Sequence, residues 1–228
     1  MSLVQTILPT EELVSLEEVK SHIHVDYFED DTLLYNLIQA ASQHLEVTLS
    51  RQFLTSTFVL GLDQFPNIAY NRYRDRNGIV GGWYQFGAMG GWYQNGIPTG
   101  WKHTGRTISL PRPPLQSIVS VVYSDTDNVL QTLPNTVYAV DTLSEPGQLY
   151  LLPRQVWPST SSIPNAVKIT YVAGWAKPGL VPESIRALLL LLVAHLYKNP
   201  IETFIEQGIR DLPLAFKMLF WSNRILEA

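Results

Sequence analysis

The hydrophobic pattern of this 228-residue chain changes its period twice, and these changes constrain the fold more than any other feature. To about Ser50, apolar residues recur every three or four positions, as they do on one face of an α-helix. From about Arg51 to Trp175, short β-branched and aromatic runs alternate with turn residues, and the helical period then returns. We therefore predict an α+β fold. Residues 1–50 and 176–228 form a helical core, and residues 51–175 form an inserted antiparallel β region.

The N-terminal part predicts two helices. Ser15 followed three residues later by Glu18 is a capping-box pattern, which opens a short helix toward His22. The acidic turn Asp26–Asp31 suits the start of a second helix, because carboxylates favour the positive end of the helix dipole. The apolar positions of the second helix share one face: Leu33, Leu34, Leu37, Ile38, Ala41, Leu45 and Leu49.

The middle part predicts short strands that are separated by Pro, Gly, Asn and Asp. The predicted strands are Thr55–Leu62, Thr107–Leu110, Ser117–Tyr123, Val137–Val140, Gln148–Leu152 and Ala166–Val172. The segments Arg112–Pro114 and Ser124–Asn128 have clear turn chemistry. Strands of this length and spacing indicate an antiparallel sheet or a small barrel.

The C-terminal part predicts two more helices. Pro182 suits a first helical turn, where its missing N–H costs nothing. The helix over Glu183–Tyr197 is apolar all round in its middle, so we expect it to be buried on nearly every side. A second helix begins near Leu212 and runs to Ile225.

A glycine-rich aromatic segment, from about Pro66 to Gly105, interrupts the strand series. It holds nine of the 14 glycines and repeats the pentapeptide Gly-Gly-Trp-Tyr-Gln. Loops this long in compact domains are usually functional or disordered, and the segment is too aromatic for simple disorder. Three interpretations remain open: the rings cover the protein's own sheet, they contact a neighbouring protein, or they stack on sugars. The candidate interface residues of the repeat are Trp83, Tyr84, Trp92 and Tyr93.

No catalytic, cofactor or metal site is indicated. The chain has no cysteine, which excludes disulfides, thiolate metal sites and cysteine nucleophiles. His22 and His24 point in different directions on a helix, and Glu29–Asp31 lacks the ligand pattern of a calcium loop. Gly81-Gly82 and Gly90-Gly91 do not meet the spacing of a dinucleotide or phosphate loop. We therefore predict a protein that is not an enzyme and uses no cofactor.

Charge and hydropathy limit the partners. The net charge is −4 and no long basic run exists, so sequence-specific or tight binding to nucleic acid is not expected. The longest apolar run, Ala187–Ala194, is far shorter than the roughly 20 residues of a membrane span. The N-terminus also lacks the basic and apolar pattern of a secretory signal, so we expect no membrane partner.

An ordered set of segments resembles the head–tail connector (adaptor) proteins of tailed phages, which are also found in prophages and gene transfer agents. The resemblance covers most of the chain outside the aromatic segment. The segments that carry it are Val14–Lys20, His24–Asp26, Asp30–Leu34, Leu110–Ile118, Tyr171–Trp175, Val181–Arg186 and Ala194–Tyr197.

This resemblance implies a structural virion protein of the neck, which assembles in the host cytoplasm and does no chemistry. It implies a ring of about twelve copies, a dodecamer, beneath the portal protein. The ring joins the capsid to a tail, stopper or tail-terminator protein and continues the channel through which DNA leaves. The aromatic segment is longer than the family suggests, so it is interpreted as an arm that grips a neighbour. The C-terminal segment is expected to contact the portal through Phe216, Leu219, Phe220 and Trp221, although these four residues could instead close the protein's own core.

The main alternative is a glycan-binding module on a virion surface, with the four repeat aromatics as stacking platforms. A hydrolase with an unrecognised site is the least favoured interpretation, because nothing in the sequence pairs a nucleophile with a base.

Overall fold

A computed structural model describes residues 1–66, 105–199 and 214–225. Its helices are α1 (Leu16–Ile23), α2 (Asp31–Thr48), α3 (Glu183–Lys198) and α4 (Leu214–Asn223). Its strands are β1 (Ser2–Ile7), β2 (Ser56–Leu62), β3 (Thr107–Ser109), β4 (Leu115–Ser124), β5 (Leu130–Thr132), β6 (Tyr138–Asp141), β7 (Gln148–Leu151) and β8 (Val167–Ala173). Helices and antiparallel sheets together confirm the predicted α+β class.

The chain divides into two compact units. The β unit comprises Met1–Leu8 and Ser56–Gly174, and the helical unit comprises Pro9–Thr55 and Trp175–Leu226. Among the described residues, the chain passes from one unit to the other after Leu8, after Thr55 and after Gly174.

The helical unit is built on caps and apolar faces that the sequence indicates. The Ser15 hydroxyl accepts a hydrogen bond from the Glu18 backbone N–H at 3.1 Å, which caps α1. His24 caps the C-terminal end of α1, and its φ of 59° places it in the left-handed region. The apolar core combines faces of all four helices and the segments that flank them. Its most buried members include Val14, Val19, Leu34, Ile38, Ala41, Leu45, Leu49, Phe53, Ile185, Leu188, Leu189 and Val193.

The α3 helix has the all-round burial that its composition predicts. No residue from Ser184 to Tyr197 is exposed, and five apolar residues on this helix are fully buried. The helix is bounded by Pro182 before its first residue and by Asn199 after its last. The apolar middle of this sequence, Ala187–Ala194, thus produces a helix with no exposed residue in that stretch.

The β unit contains two antiparallel sheets. The larger has the strand order β1-β2-β8-β4-β5, and the smaller has the order β3-β7-β6. Along β8, buried residues alternate with more accessible ones, which is the pattern of a strand with one face in a core. The core includes Tyr171, whose hydroxyl donates a hydrogen bond to the Pro111 carbonyl at 2.8 Å. Burial raises the pKa of Tyr171 well above its usual value.

The turn between β4 and β5 follows the chemistry predicted for Ser124–Asn128. The Asp125 carboxylate accepts hydrogen bonds from the backbone N–H groups of Asp127 (3.0 Å) and Val129 (2.9 Å). Asn128 adopts a positive φ of 61°, which Asn tolerates better than most residues. The bond from Val129, followed by one from Gln131, lowers the pKa of Asp125.

The prediction that residues 1–50 are entirely helical is wrong for the first residues. Ser2–Ile7 forms β1, which pairs antiparallel with β2 more than fifty residues away. A partner at that distance leaves no periodic signal within the segment itself. The strand β5 also escaped prediction, because it has only three residues and all three are exposed. The six predicted strands all form, with their ends displaced by no more than two residues.

Candidate assembly surfaces

The loop between α1 and α2 is fixed by one lysine. Lys20 Nζ donates hydrogen bonds to the Tyr27 carbonyl and to Asp31 Oδ1, both at 2.7 Å. The same ammonium group lies 4.4 Å from the centre of the Phe28 ring, within cation–π range. One cation from the last turns of α1 therefore connects the loop backbone, its aromatic side chain and the first residue of α2.

A second hydrogen-bonded group joins this loop to α3. Tyr197 donates a hydrogen bond to Asp30 Oδ2 at 2.6 Å, and the Tyr27 hydroxyl lies 2.8 Å from the Tyr197 hydroxyl. The bond to Asp30, followed by the contact with Tyr27, raises the pKa of Tyr197 well above its ordinary value. Through its bond to Asp30, Tyr197 holds the start of α2 on α3.

An ion pair holds α1 on α3 as well. Arg186 Nη2 lies 2.9 Å from both carboxylate oxygens of Glu18. The hydrogen bond to Glu18 raises the pKa of Arg186. Glu18 therefore has two roles, since its backbone N–H is capped by Ser15 and its side chain binds the neighbouring helix.

The fixed loop displays apolar side chains to solvent. Phe28 is 79% exposed and Tyr27 is 49% exposed. We call these two residues the loop patch. Large aromatic rings on a rigid backbone lose little conformational freedom on binding, so they are common anchors in protein interfaces.

The four predicted C-terminal anchors on α4 differ in how deeply they are buried. Phe216 and Phe220 are 3% and 2% exposed, stack on each other at 6.2 Å and belong to the core of the helical unit. Leu219 is partly buried against the same core. Trp221, by contrast, is 56% exposed, and its neighbour one turn back, Met218, is 64% exposed. We call Met218 and Trp221 the α4 face.

The end of α4 is attached to the rest of the helical unit by polar contacts. Arg51 Nε donates a hydrogen bond to the Asn223 carbonyl at 2.8 Å, and Ser184 Oγ donates to Asn223 Oδ1 at the same distance. The Ile225 N–H donates to the Leu49 carbonyl at 3.2 Å. The exposed Trp221 is thus held on a helix that is fixed at both its buried face and its end.

The remaining predicted interface residues, Trp83, Tyr84, Trp92 and Tyr93, lie outside the described residues. The arm to which they were assigned therefore remains a prediction.

Among the described residues, no group of three histidine, aspartate or glutamate side chains could hold a metal ion. His22, His24 and His44 are exposed. His195 is half-buried on α3, where its ring Nδ1 lies 3.3 Å from Asn199 Nδ2. No described helix is long and apolar enough to cross a membrane.

Sequence reasoning missed the loop patch. The segment Asp26–Asp31 predicts only an acidic helix start, which gives Tyr27 and Phe28 no role. The available signal is the presence of two aromatics in an otherwise acidic turn, outside the apolar face of α2. The contact of Tyr27 with the Tyr197 hydroxyl is long-range in sequence, so no local pattern indicates it.

Comparison with known proteins identifies a family that part of the chain matches. Residues 13–85 match the model of a family described as phage gp6-like head-tail connector proteins. This match confirms the resemblance inferred from the sequence. No curated protein matches the chain significantly.

Solved structures of gene transfer agent (GTA) particles contain chains with the same fold. One, in the neck of an empty GTA particle computed with C6 symmetry, gives a TM-score of 0.69 at 14% identity. Others, in the virion of a native GTA particle and in a native neck computed with C12 symmetry, give 0.68 and 0.64, each at 14% identity. Each comparison covers 100% of this chain and 97% of the other. Neither the family nor these particles are described as enzymes, in agreement with the prediction of a non-enzymatic protein.

Proposed function

We propose that this chain is a structural protein of a virion neck, a head–tail connector of a tailed phage or gene transfer agent. One observation carries the proposal: the fold matches chains of neck-containing particles over the full length of this chain and nearly all of theirs. The family match over residues 13–85 supports the same assignment independently.

In this proposal the copies form a closed ring beneath the portal, and the ring joins the capsid to a stopper, tail-terminator or tail protein. The similar chains come from necks computed with sixfold and twelvefold symmetry, which favours a ring of twelve copies. The net charge of −4 suits a channel through which DNA passes without sequence-specific binding, because few phosphates can be neutralised.

The α4 face is the proposed contact with the portal. Trp221 is a large ring held by a fixed helix, as an anchor residue requires, and Met218 adds an adaptable apolar side chain beside it. Arg224 lies 5.4 Å from the Trp221 ring, so a cation flanks the apolar anchor. Phe216 and Phe220 support this contact from within the core and do not touch the partner.

The loop patch is a second anchor of the same kind, carried by the loop between α1 and α2. Its rings are held by Lys20 and by the group of Tyr197, Asp30 and Tyr27, so docking costs little ordering entropy. We assign it to contact with another protein of the neck.

The aromatic arm over 66–105 is proposed to grip an adjacent neck subunit. If Trp83 and Trp92 are both changed to alanine, tail joining should fall while capsid filling is unaffected. Normal numbers of filled, tailed particles from that double variant would remove the arm from the proposal.

Deletion of the gene from the phage or agent that encodes this chain tests the proposed function. Loss of a connector should leave DNA-containing heads and free tails that do not join, as seen by electron microscopy. Supplying the wild-type chain in trans should restore tailed particles. Tailed, infectious particles without the chain would contradict the proposal.

A further inference from the structure

The outer strand β1 has an open edge. In the described part of the chain, β1 pairs with β2 alone, so the backbone groups on its other side have no strand partner. Val4 and Ile7 on this strand are both more than half exposed. Such an edge is a ready template for another strand.

The sequence of β1 does little to prevent such pairing. Ser-Leu-Val-Gln-Thr-Ile contains no charge and no proline, the two commonest devices that protect sheet edges. Its one irregularity is a register shift between Gln5 and Ile7, which leaves the pairs from Ser2 to Gln5 regular. An uncharged and partly apolar edge of this kind indicates a surface that becomes covered.

Near the opposite edge of the same sheet, part of β4 also lacks a strand partner on one side. The β4 strand has ten residues, but β5 pairs only with Val122–Ser124. Within the described chain, Ser117–Ser120 therefore has β8 on one side and no strand on the other, and its pairing with β8 has register shifts between Leu115 and Ser117 and between Ile118 and Ser120. Val119 in this stretch is 62% exposed.

The directions of the two edges are complementary. Every neighbouring pair in the order β1-β2-β8-β4 is antiparallel, so β1 and β4 run in opposite directions. Adjacent copies in a closed ring of twelve are related by a rotation of about 30°, which changes the direction of any strand by no more than that angle. The β1 strand of one copy and β4 of the next therefore have the opposite polarity that antiparallel pairing requires, and the rotation between copies adds to or offsets the twist that accumulates across the sheet.

We infer that β1 of one copy adds to the open stretch of β4 in the next copy by backbone hydrogen bonds, so that the sheet continues from subunit to subunit. The inference rests on the proposed ring and assigns its subunit contact. The contact is head-to-tail, because it joins two different edges of the same chain, and such contacts close into rings. A twofold contact between two β1 strands would instead stop at a dimer.

The positions for a cross-linking test follow from the strand register. Val4 lies opposite Val59, and Val59 lies opposite Thr170, so these three side chains share one face of the sheet. Ser117 lies opposite Val172, two residues beyond Thr170 along β8, and therefore projects from the same face. Cysteines at positions 4 and 117 would project from one face if the two edges pair, and a cross-linker can span a register offset of two residues, about 7 Å along a strand.

The test uses the full chain, whose lack of cysteine removes any background. The Val4→Cys/Ser117→Cys double variant is treated with a short bis-maleimide under conditions in which mass measurement shows rings, either alone or with the portal. We expect a ladder of covalent multimers that extends to the ring size. An equimolar mixture of the two single variants should give dimers and nothing larger, because each copy then has one reactive edge.

The test has a matched control and three contrary outcomes. Val4→Cys combined with Leu143→Cys, an exposed position outside the five-stranded sheet, should give no ladder. Dimers from Val4→Cys alone would indicate the twofold contact and overturn the inference. Rings that form without a ladder would also overturn it, while leaving the proposed function intact. A chain that stays monomeric with and without its portal would overturn the ring itself, and the mass measurement distinguishes that case.

Discussion

Phe28 and Trp221 of the helical unit are exposed rings on fixed segments, whereas Val4 and Val119 of the β unit are exposed apolar residues on strands with unpaired stretches. The segments of Phe28 and Trp221 are held through backbone carbonyls, by Lys20 in the first case and by Arg51 in the second. Val4 lies on β1, which pairs with one strand within the described chain, and Val119 lies in the part of β4 that β5 does not reach. The difference indicates two modes of recognition, by side-chain anchors in one unit and by backbone pairing in the other.

The largest expected effect is the difference in stability between removing a buried ring and removing an exposed ring on α4. Replacing Phe220 by alanine removes a fully buried ring and should lower the free energy of unfolding by about 3–5 kcal/mol. Replacing the adjacent Trp221 by alanine should lower it by about 1 kcal/mol or less. Urea denaturation followed by circular dichroism measures both changes.

The two variants should rank in the opposite order in portal binding: among folded molecules, Trp221→Ala should lose more affinity than Phe220→Ala. Trp221→Ala, although stable, should weaken binding at least about tenfold, as expected for an interface anchor. Unchanged portal binding by this variant would remove the α4 face from the proposed contact and leave it as solvent-exposed surface.

The next largest effect is the difference in stability between alanine substitutions at two glycines of the β unit. A Cβ on Gly147 would overlap Leu115 Cβ and Cδ2, atoms of a buried side chain that cannot move away easily. Gly147→Ala should therefore cost about 1–3 kcal/mol of stability. A Cβ on Gly61 would meet only the side-chain ends of Asn165 and Ser2, which are hydrogen-bonded at 2.6 Å.

Gly61→Ala should therefore cost about 1 kcal/mol or less, mainly by separating Ser2 from Asn165. Hydrogen exchange should quicken at the first residues of β1 and not elsewhere in the sheet. Equal destabilisation by the two alanines would show that β1 is held more rigidly than its single pairing with β2 implies.

The smallest effect is a pH dependence in the helical unit. The folded-state pKa of Tyr197 is raised, so its contribution to stability is complete below the unfolded-state value of about 10 and is lost as the pH rises above it. Tyr197→Phe should be less stable than the wild type at pH 8, and the gap should narrow above about pH 10. Tyr35→Phe, at an exposed position on α2, serves as the control. A gap that is constant across this range would contradict the role of the bond to Asp30.

Local signals made much of this fold predictable. Ser15 and Glu18 indicated the start of α1, and the apolar run after Glu183 indicated a buried α3, because caps and periodicity are properties of a single segment. The turn after Ser124 was predictable for the same reason, since Asp125 bonds only to neighbours within a few residues.

Features that depend on distant residues were not predictable. Ser2–Ile7 becomes a strand only because Gly61 and its neighbours pair with it. Phe220 is buried and Trp221 is exposed because one side of α4 meets the core. Periodicity alone does not decide whether these residues are buried or exposed. The Tyr27 hydroxyl meets the Tyr197 hydroxyl 170 residues away, a contact that no sequence motif specifies.

The most direct test of the central claim is the solution mass of the purified chain, measured alone and after mixing with its cognate portal. The account predicts a complex that carries twelve copies of this chain per portal ring, matching the twelvefold symmetry of a similar neck. A chain that remains monomeric and does not bind the portal would contradict the account, and the shared fold would then carry no shared role.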